Sequence, residues 1–169
     1  PLFSQVHLTN FDLEEWNGNE PVDWYYDFGH GAGMQYGTLN WFQDLGEPLS
    51  TFIETDQAAG GAGSSARLVS VLTQGQLATQ GVPAIPGHIM KWTAYSEKPM
   101  SMAFDYWVEP LGEDFAAVYV EFYDLDTNLI GKGEVYFTEE TSDSQMYYLP
   151  IDWFDGDVAN IHITCTSSV

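Results

Sequence analysis

Basic residues are almost missing from this chain. Arg67, Lys91, Lys98 and Lys132 face 25 Asp and Glu in 169 residues, for a formal net charge of −21. No basic stripe exists to displace counterions from phosphates, which excludes nucleic acid as a ligand and disfavours anionic membrane surfaces. No apolar run approaches the roughly 18 residues of a spanning helix, so no membrane insertion is expected. Cysteine is reduced to Cys165, which rules out an internal disulfide and is neutral on compartment. Helical periodicity is nearly absent, with one short turn at Asp12–Trp16 as the best candidate, and no repeat recurs at a period of about 20 to 50 residues. Catalytic and zinc motifs are lacking too. His7, His30, His88 and His162 are scattered, and there is no His-Glu-x-x-His, no Cys pair and no Gly-x-Ser-x-Gly elbow. "GHGAG" at Gly29–Gly33 has no following helix or Lys, so it reads as a turn rather than a phosphate loop. The chain starts at Pro1 without Met or a signal peptide, as a processed or trimmed chain would.

What is present is aromatic: six Trp, ten Tyr and ten Phe in a composition that is 44% hydrophobic. That is enough for a real core in a single domain over residues 1–169. Period-2 alternation marks strands at Ala66–Thr73, Gly87–Tyr95, Met100–Glu109, Ala116–Tyr123, Gly133–Thr138 and Ile161–Thr166. Gly-, Ser- and Pro-rich stretches at Ala58–Ser65, Gly81–Gly87 and Glu139–Ser144 read as loops, and "DLDTNLIG" at Asp124–Gly131 as a hairpin connection. Many short strands with turns between them predict an all-β antiparallel β-sandwich of the jelly-roll type. Phe104, Tyr106, Val118, Val120, Phe122, Val135, Phe137, Ile161 and Ile163 make the expected core, with Cys165 beside them as a buried, inert thiol.

The same alternation gives each strand an outward side. Trp107 stands there with Asp105 and Glu109, Tyr119 and Tyr123 with Glu121, and Tyr136 with Glu134. Gly87–Tyr95 is phased with Lys91, Thr93 and Tyr95 outward and Met90 and Trp92 inward. If consecutive strands are neighbours, these sides form one face. Flat rings beside carboxylates suit a sugar, whose C–H face stacks on an aromatic ring while its hydroxyls bond to acids. Trp107, as the largest ring, is the expected anchor. An ordinary solvated face is the plain alternative, since Tyr and Trp favour strands whatever their task. Glu109 and Glu121, if opposed across neighbouring strands, would offer the paired acids of a glycoside hydrolase.

With the strands placed, several segments resemble a known family. They are "NFDLEEW" (Asn10–Trp16) leading to "PVDW" (Pro21–Trp24), "SSARLVSV" (Ser64–Val71) and "GVPAIPGHIMKWTAY" (Gly81–Tyr95), then "VYVEFYDLDTNLIGKGEVYFT" (Val118–Thr138) and "IHITCTSS" (Ile161–Ser168). Together they are similar to the carbohydrate metabolism domain of secreted Bacteroidetes proteins exported through the type IX route. The resemblance implies a jelly roll like those of galactose-binding and carbohydrate-binding modules. The family usually runs on into a final strand with an Asp pair, whereas this chain stops at Val169, so any metal ligand from that strand is missing. Its Tyr-x-Tyr strand is matched out of phase by Trp92 and Tyr95.

In sandwiches of this general kind an N-terminal acid helps to hold a structural Ca²⁺, which makes Glu14 the candidate metal ligand, although no cofactor is required. Phe11 and Trp16 are expected to plug the end of the sandwich, with Asp12, Glu14 and Glu15 on a rim turn. "DLDTN" echoes an EF-hand loop without its sixth-position Gly or its helices. The expected protein is therefore a secreted or cell-surface, non-catalytic module binding a polysaccharide through Trp107, Tyr119, Tyr123, Tyr136, Tyr95, Asp105, Glu109 and Glu121, alongside other domains of a larger protein. A glycoside hydrolase or lyase on the same face, and a structural or adhesive module, are the alternatives.

Overall fold

The computed structural model describes residues 8, 10, 12–17, 20–24, 53–57, 63–81, 84–110 and 114–167. The strands are β1 (Trp16–Asn17), β2 (Glu20–Pro21), β3 (Ile53–Gln57), β4 (Ser64–Leu68), β5 (Val71–Leu72) and β6 (Ala84–Ile85). They continue with β7 (His88–Ala94), β8 (Ser101–Tyr106), β9 (Ala116–Tyr123), β10 (Leu129–Phe137), β11 (Gln145–Pro150), β12 (Asp152–Trp153) and β13 (Asn160–Thr166). Among the described residues the one helix is a single turn, α1 (Gln76–Thr79). The all-β expectation holds.

Strand β9 is built for a layer interface. Val118, Val120 and Phe122 point to one side and are buried, while Tyr119, Glu121 and Tyr123 point to the other. Burying a side chain such as Val120 or Phe122 contributes about 1.5–3 kcal/mol. The main sheet runs β12–β10–β9–β13–β7, antiparallel throughout, and β8 pairs with β11 in a second sheet. Their inner sides meet. Tyr106 of β8 stacks on Phe137 of β10 with 4.0 Å between ring centroids, and Phe104 and Tyr147 meet Phe137 edge-on. The result is an antiparallel β-sandwich, with the chain changing layer at β7–β8, β8–β9, β10–β11 and β11–β12. β13, the last of these strands in sequence, lies between β9 and β7 and bonds both.

At Gly133 the layers come too close for a side chain. A Cβ there would lie 2.7 Å from the Pro150 carbonyl oxygen and 2.8 Å from Ile151 Cδ1. The inward set Phe104, Tyr106, Val118, Val120, Phe122, Val135, Phe137, Ile161 and Ile163 belongs to the core as expected; Cys165 packs beside it only partly buried, with its thiol pushed up to about 12 by its apolar surroundings.

Four expectations need correction. Met100, expected as the first residue of the strand Met100–Glu109, lies outside β8 and is largely exposed. Strands β11 and β12 add to the expected set, because "QMYYLPIDW" keeps Met146 and Tyr148 exposed and so hides its alternation. Asp12–Trp16 is a turn leading into β1, with no helix in it. The phase of β7 is reversed: Ile89 and Lys91 face the core and Trp92 faces solvent. Lys91 is 1% exposed, and its ammonium donates to the Asp23 carbonyl at 3.1 Å and sits over the Trp24 ring. Burial lowers its pKa, against the opposing pull of the Asp23 charge. Its aliphatic stem fills core space that an exposed Lys would not.

The opening turn is held by a residue whose importance the sequence did not announce. Asn10 adopts φ 47°, a region that Asn tolerates better than most residues. Its side-chain amide donates to the carbonyls of Glu15 (2.8 Å) and Val22 (2.7 Å), and its carbonyl accepts from the Glu15 N–H (2.8 Å). The Trp24 indole donates to its backbone carbonyl at 2.7 Å. Trp16 packs against the core and Asp12, Glu14 and Glu15 are exposed, matching the expected rim turn, while Phe11 lies outside the described residues. Asn10→Ala strands several of these groups, at about 1–3 kcal/mol for each left unsatisfied in the interior. We expect it to cost at least about 2 kcal/mol, read as a lower urea midpoint at unchanged slope. A wild-type midpoint would show that the turn is not fastened through Asn10.

Candidate functional site

The pairing register lays the outward residues of the main sheet in rows. Lys132, Glu121, His162 and Trp92 form one row across β10, β9, β13 and β7. Glu134, Tyr119, Thr164 and Met90 form the next, and Tyr136, Ala117, Thr166 and His88 the third. Tyr123 stands on the far side of the first row, opposite Asn160.

Two aromatic clusters result. In the first, the Trp92 ring lies 5.0 Å from Tyr123 and 5.4 Å from His162, centroid to centroid, and remains 44% exposed. Glu121 ties this cluster together. Its Oε2 accepts from the Tyr123 hydroxyl at 3.0 Å and from His162 Nδ1 at 3.2 Å. With Nδ1–H committed to the carboxylate, a neutral His162 keeps Nε2 as an acceptor, 3.4 Å from the Thr164 hydroxyl. The bond from His162 holds the Glu121 carboxyl below its ordinary range against the opposing effect of burial, with Tyr123 adding to it. Burial, reinforced by the bond to Glu121, pushes the Tyr123 phenol up to about 12. In the second cluster Tyr119 meets Tyr136 edge-on at 5.9 Å, and Phe115 meets Tyr136 at 5.6 Å. Burial, then the hydrogen bond with Tyr136, pushes the Tyr119 phenol up to about 12. Both phenols therefore stay neutral near pH 7. Tyr136 is 47% exposed, and beside it Lys132 and Glu134 pair at 3.7 Å on the surface, a contact of little energetic weight.

Of the sequence candidates, this face unites Tyr119, Tyr123, Tyr136 and Glu121. It excludes the other four. Asp105 belongs to β8 in the second layer, and Trp107 and Glu109 follow its end, so Glu109 and Glu121 do not stand opposed across neighbouring strands. The assumption that failed is that consecutive strands are neighbours. Trp107 is half-exposed, and its indole N–H donates to the Thr141 carbonyl at 2.8 Å. Thr141 also exchanges bonds with the backbone of Val108, so Trp107 helps to moor the loop after β10. Tyr95 turns inward against Phe122, 5.8 Å between centroids. The sequence reading missed Trp92, through the reversed β7 phase, and His162 and Thr164. The last two were signalled as the complement of inward Ile161, Ile163 and Cys165.

Glu14 is placed for a structural task. Its Oε1 accepts from the Ser64 N–H at 2.8 Å, and a Cβ on Gly63, at φ 86°, would collide with that carboxylate. Asp124 accepts from the amides of Asp126 and Asn128 on one oxygen and from the Asn128 side chain on the other, which makes "DLDTN" a self-closed turn. Among the described residues no three His, Cys, Asp or Glu gather as a metal-binding group, and no helix is long and apolar enough to cross a membrane. His7, His30 and "GHGAG" lie outside the described residues.

No family model and no curated protein matches the chain. Among solved structures it is similar to a "putative glycoside hydrolase" from Bacteroides thetaiotaomicron, at 14% identity and a TM-score of 0.52. The match covers 76% of this chain and 54% of that one, so the chain spans about half the length of its structural neighbour. A second "putative glycoside hydrolase", from Bacteroides vulgatus, matches at 15% identity and a TM-score of 0.43, over 69% of this chain and 68% of that one. At such identities the likeness is one of fold.

Two outcomes follow from this geometry. The Glu121 carboxyl titrates lower folded than unfolded, so its stabilisation is fully present above the ordinary value of 4.5 and is lost as pH falls through the folded value. Glu121→Gln should therefore flatten the acid limb of the stability–pH curve below about pH 4.5, and a curve parallel to wild type would show that the pair with His162 carries no linkage. Trp107→Ala should loosen the Thr141 loop, seen as faster amide exchange there, while leaving any ligand of the main sheet bound as tightly as before.

Proposed function

We propose that the outer face of the main sheet binds a neutral carbohydrate without transforming it, through Trp92, Tyr119, Tyr123 and Tyr136, with Glu121 and His162 meeting the hydroxyls. The observation that carries this reading is the Trp92–Tyr123–His162 cluster locked to Glu121: exposed ring surface beside fixed polar groups is what a pyranose requires. The net charge of −21 favours a neutral sugar over an anionic one. The name of the B. thetaiotaomicron neighbour supports a carbohydrate-related role, and the resemblance to a type IX-exported carbohydrate domain supports a module of a larger secreted or surface protein. Calcium at Glu14 belongs to the same proposal as an optional structural ion.

A glycan array probed with and without calcium tests this reading. Binding without release of reducing ends fits it, release of reducing ends turns it into a glycoside hydrolase, and silence in both leaves a structural or adhesive module. Trp92→Ala should weaken the glycan found at least about tenfold, or 1.4 kcal/mol, with little change in melting temperature because the ring is half-exposed.

A further inference from the structure

The two aromatic clusters do not sit together, and their separation carries information about ligand size. Tyr123 and Tyr119 stand on the same side of β9, four residues apart, which is about 13 Å along a strand. The displacement is also lateral. Trp92 leans in from β7 at one edge of the sheet, whereas Tyr136 belongs to β10, and β13 and β9 intervene between those strands. At about 4.8 Å per strand, β7 and β10 lie roughly 14 Å apart. A single pyranose, about as wide as the 4.8 Å between neighbouring strands, covers one cluster and cannot reach the other.

Polar groups occupy the ground between. His162 and Glu121 continue the row of Trp92 across β13 and β9, and the Thr164 hydroxyl follows in the next row. The succession along the diagonal is therefore ring, hydroxyl-reading groups, ring. Fixed bonds hold the middle section in one arrangement, so it need not be ordered when a ligand arrives.

Resting on the carbohydrate reading above, the geometry points to an extended oligosaccharide segment as the ligand. It would run diagonally from Trp92 on β7 to Tyr136 on β10 over roughly 19 Å, about four to five sugar units of roughly 5 Å each, passing over His162 and Glu121 directly after Trp92. Binding would then be to the interior of a polysaccharide chain, and single sugars or chain ends would be poor ligands.

Titration calorimetry with cello-, laminari-, manno- and xylo-oligosaccharides of one to six units tests this. In the series that binds, affinity should rise at least about tenfold between one and five units and then level off. Trp92→Ala and Tyr136→Ala should each weaken the hexasaccharide about tenfold, and together about a hundredfold, as expected for distant sites acting independently. Both rings are about half-exposed, so unchanged melting temperatures would exclude misfolding as the cause. A monosaccharide that binds as tightly as the hexasaccharide, or a hexasaccharide indifferent to Tyr136→Ala, overturns the extended site while leaving sugar binding intact. If no sugar binds at any length, here or on the array, both readings fall together.

Discussion

Strand β9 is hydrogen-bonded on both sides, to β10 and to β13, and everything else in the molecule takes its orientation from that. A strand with two partners cannot slip by one residue without turning Val118, Val120 and Phe122 out to water. Register on β9 therefore fixes the core on one side and, by the same constraint, the positions of Tyr119, Glu121 and Tyr123 on the other. The neighbours inherit it. Opposite Glu121 the sheet must present His162 on one side and Lys132 on the other, and beyond His162 it must present Trp92. The candidate site is thus a by-product of pairing that the core enforces, set on rigid strands rather than on loops.

What the chain discloses before folding is alternation within a strand, and where that alternation is clean it is informative. The inward residues of β8, β9, β10 and β13 are legible from the sequence because apolar and polar positions alternate over six residues or more. Long-range pairing is not legible in the same way. Nothing local distinguishes a β8 that neighbours β9 from a β8 that crosses to the second layer and pairs with β11, so Trp107 and Tyr119 look like members of one surface and are not.

The β7 reversal has a different cause. A rule that sends charge to solvent must place Lys91 outside, and it fails where a carbonyl and an indole face are waiting inside for the ammonium. Both of those partners come from Asp23 and Trp24, far away in sequence. Trp92 was lost from the predicted site for this reason alone. Asn10 escaped notice for a related one: a single side chain that satisfies three backbone groups leaves no trace in composition or periodicity.

The position of β13 bears on how the chain reaches its native state. Neighbouring strands of the main sheet lie far apart in sequence, with edge strand β7 ending at Ala94 and β13 starting at Asn160, yet β13 is what joins β7 to β9. Until residues 160–166 are available, both β7 and β9 hold an open edge of unpaired N–H and C=O groups, each a template for intermolecular strand pairing. Closure of the sheet is thus a late, non-local event with a high entropic barrier. A chain interrupted before Asn160 would lack Ile161 and Ile163 from its core and leave the facing edges of β7 and β9 open, a species prone to aggregate rather than to wait.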